Sequence, residues 1–176
     1  MNRKLIIIPT LIVLGAFAFF MAFKIGKKYN HNKEIALQKQ NLPNFQLYSQ
    51  DLKIFAAKDL EENKAVCIFY YNAECEHCQY EATQINKTLT AFRNTQVVMV
   101  STNTPKETAL FAKTYGLSSA GFIRLYDKDY AFYKWFGKSV TPSVYIYNAN
   151  HKLLKEYTGE VKIEAVIKYL SDGKKS

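Results

Sequence analysis

A continuous apolar run that leads directly into two closely spaced cysteines is the feature that most constrains the fold of this chain. The run from Val66 to Tyr71 carries no charge, which is typical of a strand buried on both faces of a sheet. Cys75 and Cys78 follow after a short turn. Apolar residues then recur at helical spacing, at Ala82, Ile85, Leu89 and Phe92. The segment therefore predicts a strand, a turn and a helix from about Cys75 to Phe92.

The sequence Cys75-Glu76-His77-Cys78 suits reversible thiol chemistry. Residues i and i+3 lie on one face of a helix, so the two sulfurs can close a short disulfide ring. The unpaired N–H groups and the dipole at a helix N-terminus stabilise a thiolate on the first cysteine. The third cysteine, Cys67, lies within the apolar run. We interpret it as a small buried hydrophobe, with a third redox-active thiol as the alternative.

Strands and helices alternate along residues 41–172, which we predict to form one domain. Thr104-Pro105 starts a helix that ends at Tyr115-Gly116, because it offers a capping hydroxyl, Pro at the first helical position and Gly at the end. The order predicts an α/β fold with a mixed central sheet and helices on both faces. The other predicted strands are Val97–Val100, Phe122–Tyr126, Ser143–Tyr147 and Leu153–Tyr157, and the other predicted helices are Tyr130–Phe136 and one after Gly159.

Residues 5–23 form an uncharged stretch behind a short tail, residues 1–4. A helix of that length spans roughly 28 Å, close to the hydrocarbon thickness of a bilayer. A cleaved signal peptide and a buried core helix are the alternatives, but no small-x-small cleavage site follows the stretch. We predict a retained, single-pass transmembrane anchor that contacts the lipid bilayer, followed by a polar juxtamembrane linker, residues 24–40.

The basic charge of the chain is concentrated at its N-terminal end. The formal net charge is +9, of which residues 1–40 supply +6 (seven Lys/Arg and one Glu). Such charge faces lipid head groups readily, and the remainder shows no basic stripe with interleaved aromatic residues, so we predict no nucleic-acid binding. More basic residues follow the apolar stretch than precede it, and this count alone places the C-terminal domain in the cytoplasm.

Four segments resemble the thioredoxin superfamily, most of all the membrane-tethered thiol–disulfide oxidoreductases of the TlpA/ResA group. They are Leu42-Pro43-Asn44-Phe45 as an opening strand, Phe69 to Cys78 as the strand and active-site turn, Val140-Thr141-Pro142-Ser143 as the proline loop, and the hairpin at 148–152 followed by Thr158-Gly159. The resemblance implies a thioredoxin-like domain that exchanges electrons with protein disulfides and thiols, without a cofactor or metal. It also implies an upstream electron donor and an extracytoplasmic position at a bacterial inner membrane.

The resemblance assigns roles to individual residues. Cys75 is expected to be the nucleophile and Cys78 the resolving thiol, which releases the partner from a mixed disulfide. Pro142 is expected to be cis and, with Thr141, to shape a groove for an extended substrate segment. Glu81, three residues after Cys78, is expected to act as a proton acceptor near the thiols. A helix-face carboxylate in solvent is the alternative for Glu81.

The residues around the thiols have opposing effects on the stability of the Cys75 thiolate. The helix N-terminus and a protonated His77 favour a thiolate on Cys75, whereas Glu74, Glu76 and Glu81 disfavour it. We therefore expect Glu76, His77 and Glu81 to tune the potential, with reduction of partners favoured over oxidation.

Two other functional classes remain open. A thiol-dependent peroxidase of the peroxiredoxin (AhpC/TSA) type is expected to have Thr or Ser three residues before its reactive cysteine, where this chain has Asn72. A copper or zinc carrier is the non-enzymatic alternative, since Cys75, His77 and Cys78 are potential ligands. A closed site needs about four ligands, and His151 in the last hairpin is not an evident fourth.

Overall fold

A seven-stranded mixed sheet forms the centre of the computed structural model, which describes the backbone of residues 3–172 and the side chains of residues 14–170. Its strands are β1 (Gln46–Tyr48), β2 (Ile54–Ala56), β3 (Ala65–Tyr71), β4 (Thr95–Ser101), β5 (Ile123–Tyr126), β6 (Ser143–Tyr147) and β7 (Leu153–Thr158). They lie in the order β2-β1-β5-β4-β3-β6-β7. Parallel pairing joins β3, β4 and β5, and the outer pairs are antiparallel.

Strand β3 lies between β4 and β6 and is buried on both faces. Side chains alternate across a pleated strand, so Cys67, Phe69 and Tyr71 enter the core on one face. Val66 and Ile68 enter the core on the other face. This double burial explains why the strand has no polar face in the sequence, and it fixes the end of β3, where the cysteine turn begins.

Helices cover both faces of the sheet. The helices are α1 (Arg3–Gln38), α2 (Glu76–Lys87), α3 (Pro105–Thr114), α4 (Phe132–Phe136) and α5 (Ile163–Asp172). Helices α2, α3 and α5 share one core with the Cys67 face of β3, and α4 packs in the core on the opposite face. The predicted α/β architecture with a mixed sheet and helices on both faces is confirmed.

Local sequence signals place the ends of α3 correctly. The hydroxyl of Thr104 accepts a hydrogen bond from the backbone of Glu107, whose carboxylate accepts one from the backbone N–H of Thr104, at 2.7 Å. At the other end, Gly116 has φ of +70°. A side chain there would be strained and would also meet Asn86 at 2.6 Å, so glycine is favoured.

One predicted strand and the predicted end of the active-site helix are wrong. Residues Leu42–Phe45 are not a strand: Pro43 has no N–H to offer, and the N–H of Phe45 turns back to the Pro43 carbonyl at 2.8 Å. The active-site helix ends at Lys87 instead of Phe92. The hydroxyl of Thr88 donates to the Gln84 carbonyl at 3.0 Å, and a separate 3₁₀ turn, Leu89–Phe92, follows.

Helix α1 is continuous through much of the predicted anchor and linker and contacts the domain at its C-terminal end. Ile35 is buried there, and Lys39 just after the helix donates to both carboxylate oxygens of Glu156 at 2.8 Å. The apolar side chains nearer the N-terminus, such as Phe17 and Phe19, are exposed.

None of the helices, over the residues 14–170 whose side chains are described, is long and apolar enough to cross a membrane. The side chains of residues 5–13 of the predicted anchor lie outside that range, as do those of the predicted tail.

Candidate active site

Cys75 lies at the N-terminal cap of α2, where the turn from β3 delivers it. The turn is held by two asparagines: Asn72 accepts from the backbone N–H of Glu74 through Oδ1, and Asn103 accepts from that of Ala73, both at 2.8 Å. The Cys75 side chain is partly exposed, and its carbonyl accepts the first helical hydrogen bond of α2. A partner can therefore reach Cys75 at the helix start.

Cys78 lies one turn further along α2 and is buried, with 3% of its surface exposed. It forms a side-chain hydrogen bond with Cys75, and both cysteines are free thiols in this structure. The pKa of Cys78 is raised to about 12, mainly by burial, with smaller contributions from the neighbouring Cys75 and Glu81 and an opposing one from the Asn72 backbone. The two thiols therefore differ in kind, since one is accessible and the other is buried and firmly protonated.

The proline loop lies against the accessible thiol. The Thr141–Pro142 peptide bond is cis, which confirms the expected isomer. The Sγ of Cys75 donates to the carbonyl oxygen of Thr141 at 3.7 Å. The loop is held in turn by the Ser143 hydroxyl, which donates to the Val140 carbonyl at 2.6 Å, and by the N–H of Gly159, which donates to the Pro142 carbonyl at 2.9 Å. Residues 66 positions apart in the sequence thus border one surface.

Glu81 is buried beneath the thiols, with 4% of its surface exposed. The pKa of this carboxyl is raised to about 8, mainly by burial; a hydrogen bond with the Val161 backbone acts against the rise, and the nearby Glu160 adds to it. Its Oε1 atom has no hydrogen-bond partner among the residues that the structure describes. The carboxyl is therefore not the solvated helix-face group considered as the alternative. It is close enough to both Cys78 and Cys67 to raise the pKa of each.

The remaining charged residues of the motif are exposed. Glu74, Glu76 and His77 face solvent at the start of α2, and the Nδ1 of His77 pairs with the Oε2 of Glu160 in the loop before α5. Sequence reasoning did not find Glu160, because 83 residues separate it from His77 and only the fold brings the two together.

Cys67 lies inside β3 and is fully buried. Burial raises the pKa of its thiol well above the ordinary value, and Glu81 adds to the rise. The thiol therefore stays protonated, as expected of a buried hydrophobe. Among the described residues, no group of three or more His, Cys, Asp and Glu side chains is arranged to hold a metal ion.

Known proteins with this fold include several redox proteins. One solved structure, described as a candidate thioredoxin from Neisseria meningitidis, is 26% identical with a TM-score of 0.65, covering 78% of this chain and 91% of that one. A secreted Mycobacterium tuberculosis disulfide oxidoreductase homologous to E. coli DsbE is 15% identical with a TM-score of 0.63, covering 73% and 96%. The peroxidoxin BcpB from Mycobacterium tuberculosis is 19% identical with a TM-score of 0.63, covering 77% and 94%. The fold is therefore thioredoxin-like.

A search of curated proteins found no match. A profile of the AhpC/TSA family matches residues 39–156, which span β1 to β6, the cysteine motif, the cis-proline loop and most of β7. This match covers more than half of the chain, and the chain therefore belongs to the AhpC/TSA family.

Proposed function

We propose that this protein is a membrane-tethered thiol–disulfide oxidoreductase that exchanges electrons with protein disulfides through Cys75 and Cys78. The observation that carries the proposal is the contrast between the two thiols. Cys75 is partly exposed at a helix start beside the Thr141 carbonyl, whereas Cys78 is buried with a pKa of about 12. Cys75 is therefore accessible to a partner protein, whereas Cys78 can react only with Cys75.

The first step joins Cys75 to the partner. Its thiolate attacks one sulfur of the partner disulfide, a new S–S bond forms, and the other partner sulfur leaves as a thiolate that takes a proton from water. Thr141 and Pro142 border the exposed side of Cys75, so an extended partner segment can lie along that loop. A thiolate that attacks a disulfide needs this access, because the attacked sulfur must approach in line.

The second step releases the partner. Cys78 gives up its proton and attacks the Cys75 sulfur, the mixed disulfide breaks, and the second partner sulfur leaves as a thiolate. The carboxylate form of Glu81 accepts the proton, because it lies near Cys78 and its pKa of about 8 allows it to bind and release a proton near neutral pH. Two electrons pass from the dithiol to the partner, and an upstream dithiol donor restores Cys75 and Cys78.

Reduction of partners is the favoured direction. The carboxylates of Glu74 and Glu76 lie next to Cys75 in the sequence and are exposed, and negative charge near a thiol makes its thiolate less stable. A less stable reduced form is a stronger reductant. Glu81 contributes to the same effect when it is ionised.

The tether and its orientation belong to the same proposal. The exposed apolar side chains of α1 from Leu14 to Ile25 continue the uncharged stretch that begins at Leu5, and lipid is the environment that covers such a surface. We place the catalytic domain on the extracytoplasmic side, although the flanking charges favour the opposite orientation. A reporter fused after Ser176 tests this placement, and reporter activity in the cytoplasm contradicts it.

Turnover of a disulfide substrate tests the enzymatic proposal. The full chain in detergent micelles is mixed with insulin as the disulfide substrate and dithiothreitol as the electron donor. We expect the wild type to accelerate reduction and Cys75→Ala to abolish the acceleration. The matched control is Cys67→Ala, which removes the cysteine outside the pair and should still accelerate the reduction of insulin. An unaltered rate in Cys75→Ala contradicts the proposal.

A thiol-dependent peroxidase is the second candidate, because the matching family profile is that of AhpC/TSA. In that reaction the Cys75 thiolate attacks one oxygen of the peroxide, the O–O bond breaks, and the other oxygen leaves as hydroxide or an alkoxide that takes a proton from water. Cys75 becomes a sulfenic acid, and Cys78 condenses with it to form the disulfide and water. Asn72 occupies the position where we expected Thr or Ser in such enzymes. Peroxide consumption that exceeds disulfide reduction under the same conditions favours this candidate.

A further inference from the structure

The loop between β7 and α5 contacts three separate parts of the candidate site with three consecutive residues. The N–H of Gly159 donates to the Pro142 carbonyl at 2.9 Å. The carboxylate of Glu160 pairs with the His77 imidazole, and the backbone of Val161 hydrogen-bonds Glu81. The loop therefore connects the proline loop, the cysteine motif and the buried carboxyl.

The pair between Glu160 and His77 is exposed, with 41% and 70% of the side chains accessible. An exposed ion pair of this kind stabilises a fold little, because solvent screens it. Its position is more informative than its strength. His77 lies two residues after Cys75 in the first turn of α2, so the pair places a carboxylate against the only imidazole of the motif.

The consequence for Cys75 follows from charge. A protonated imidazole near a thiol favours the thiolate. A carboxylate bound to that imidazole offsets its positive charge and fixes Nδ1 in the direction of Glu160. We infer that Glu160 is a positioning residue that acts through His77 to restrain the reactivity of Cys75. The inference rests on the proposed function, in which Cys75 is the nucleophile.

Alkylation of Cys75 at about pH 5.5 tests this inference, because that pH lies about one unit below the ordinary pKa of an imidazole. The full chain in detergent is reduced and treated with iodoacetamide, and the modification of Cys75 is followed by mass spectrometry. Each rate is divided by the rate of the same variant at about pH 10, where a thiol is ionised, so differences in access cancel. Glu81 is protonated at the lower pH in the wild type, where its pKa is about 8, and burial, the largest cause of that raised pKa, is unchanged by substitution of Glu160.

We expect Glu160→Gln to raise the normalised rate about threefold to fivefold, because the imidazolium then acts on the thiolate without compensation, although solvent screens it. Glu160→Asp, which keeps the charge, should remain within about twofold of the wild type. In the His77→Gln background, Glu160→Gln should change the rate by less than about twofold. The other charged side chains on α2 and beside it are common to all variants: Glu74, Glu76, Glu81, Lys87, Lys162 and Glu164.

Two results overturn the inference. One is an equal normalised rate in Glu160→Gln and the wild type. The other is an increase that persists undiminished without His77, since Glu160 would then not act through the imidazole. A failure of the proposed function is distinguishable, because it would appear in the same samples as a Cys75 that is alkylated normally but does not exchange with glutathione disulfide.

Discussion

Replacement of Glu81 by Gln offers a quantitative test of the buried carboxyl in the reduced protein. Gln keeps the size of the side chain and an oxygen that can accept from the Val161 backbone, but it cannot ionise. The folded protein binds a proton at Glu81 up to about pH 8, whereas the unfolded chain loses it near the ordinary pKa of 4.5. Stability from this group is therefore fully present below about pH 4.5 and is lost as the pH rises through 8.

The magnitude follows from the two pKa values. Each pH unit between them corresponds to about 1.4 kcal/mol. The full difference, from 4.5 to about 8, is then about 5 kcal/mol. Between about pH 5 and pH 8.5 the wild type should lose about 4 kcal/mol of unfolding free energy to this group, and Glu81→Gln should lose none of it.

Urea unfolding of the reduced full chain in detergent, at several pH values, measures the effect. The informative quantity is the difference between Glu81→Gln and the wild type, because contributions from all other titrating groups cancel. The two proteins should be similarly stable near pH 5, and Glu81→Gln should be the more stable at pH 8.5. The matched control is Glu164→Gln, an exposed carboxylate on α5, which should follow the wild type. A difference that stays constant with pH would refute the reasoning.

Three further substitutions test the fold by urea unfolding. Lys39→Met should lower the free energy of unfolding by about 1–2 kcal/mol, because it leaves the partly buried carboxylate of Glu156 without the cation that connects the end of α1 to β7. An unchanged urea midpoint would show that the connection is not formed in solution. Thr104→Ala should lower the free energy of unfolding by about 1 kcal/mol, because α3 loses its N-terminal cap, whereas Thr104→Ser should retain most of the stability. Equal losses in the two variants would contradict the capping role of the hydroxyl. Gly116→Ala should cost about 1–2 kcal/mol, since its φ is +70° and the added carbon meets Asn86; a stabilised Gly116→Ala would contradict the assigned backbone conformation.

Local signals in the sequence predicted the parts of the fold that depend on neighbouring residues. The capping residues Thr104 and Gly116 placed the ends of α3 because both act within one helical turn. The apolar run of β3 predicted a central strand, since burial on both faces leaves no polar positions. The helix boundary at Thr88 was missed because its hydroxyl bonds back to the helix, an effect that apolar periodicity does not register.

The sequence predicted the thiols of the candidate site but not the charged groups that surround them. The spacing of Cys75 and Cys78 is visible in the sequence, as is the proline of the facing loop. The burial of Glu81 depends on how the domain packs around α2, and the partner of His77 comes from a loop 83 residues away. Contacts of that kind depend on how whole helices and strands pack, so no short sequence motif predicts them.

Trapping of the mixed disulfide tests the central claim most directly. Cys78→Ala removes the resolving thiol, and the full chain is then mixed with glutathione disulfide and analysed by mass spectrometry without reductant. The account predicts that Cys78→Ala accumulates glutathione on Cys75, whereas the reciprocal Cys75→Ala acquires little, because Cys78 is buried and its pKa is about 12. Equal labelling of the two variants, or no adduct on Cys75, would contradict the assignment of Cys75 as the nucleophile of a thiol–disulfide oxidoreductase.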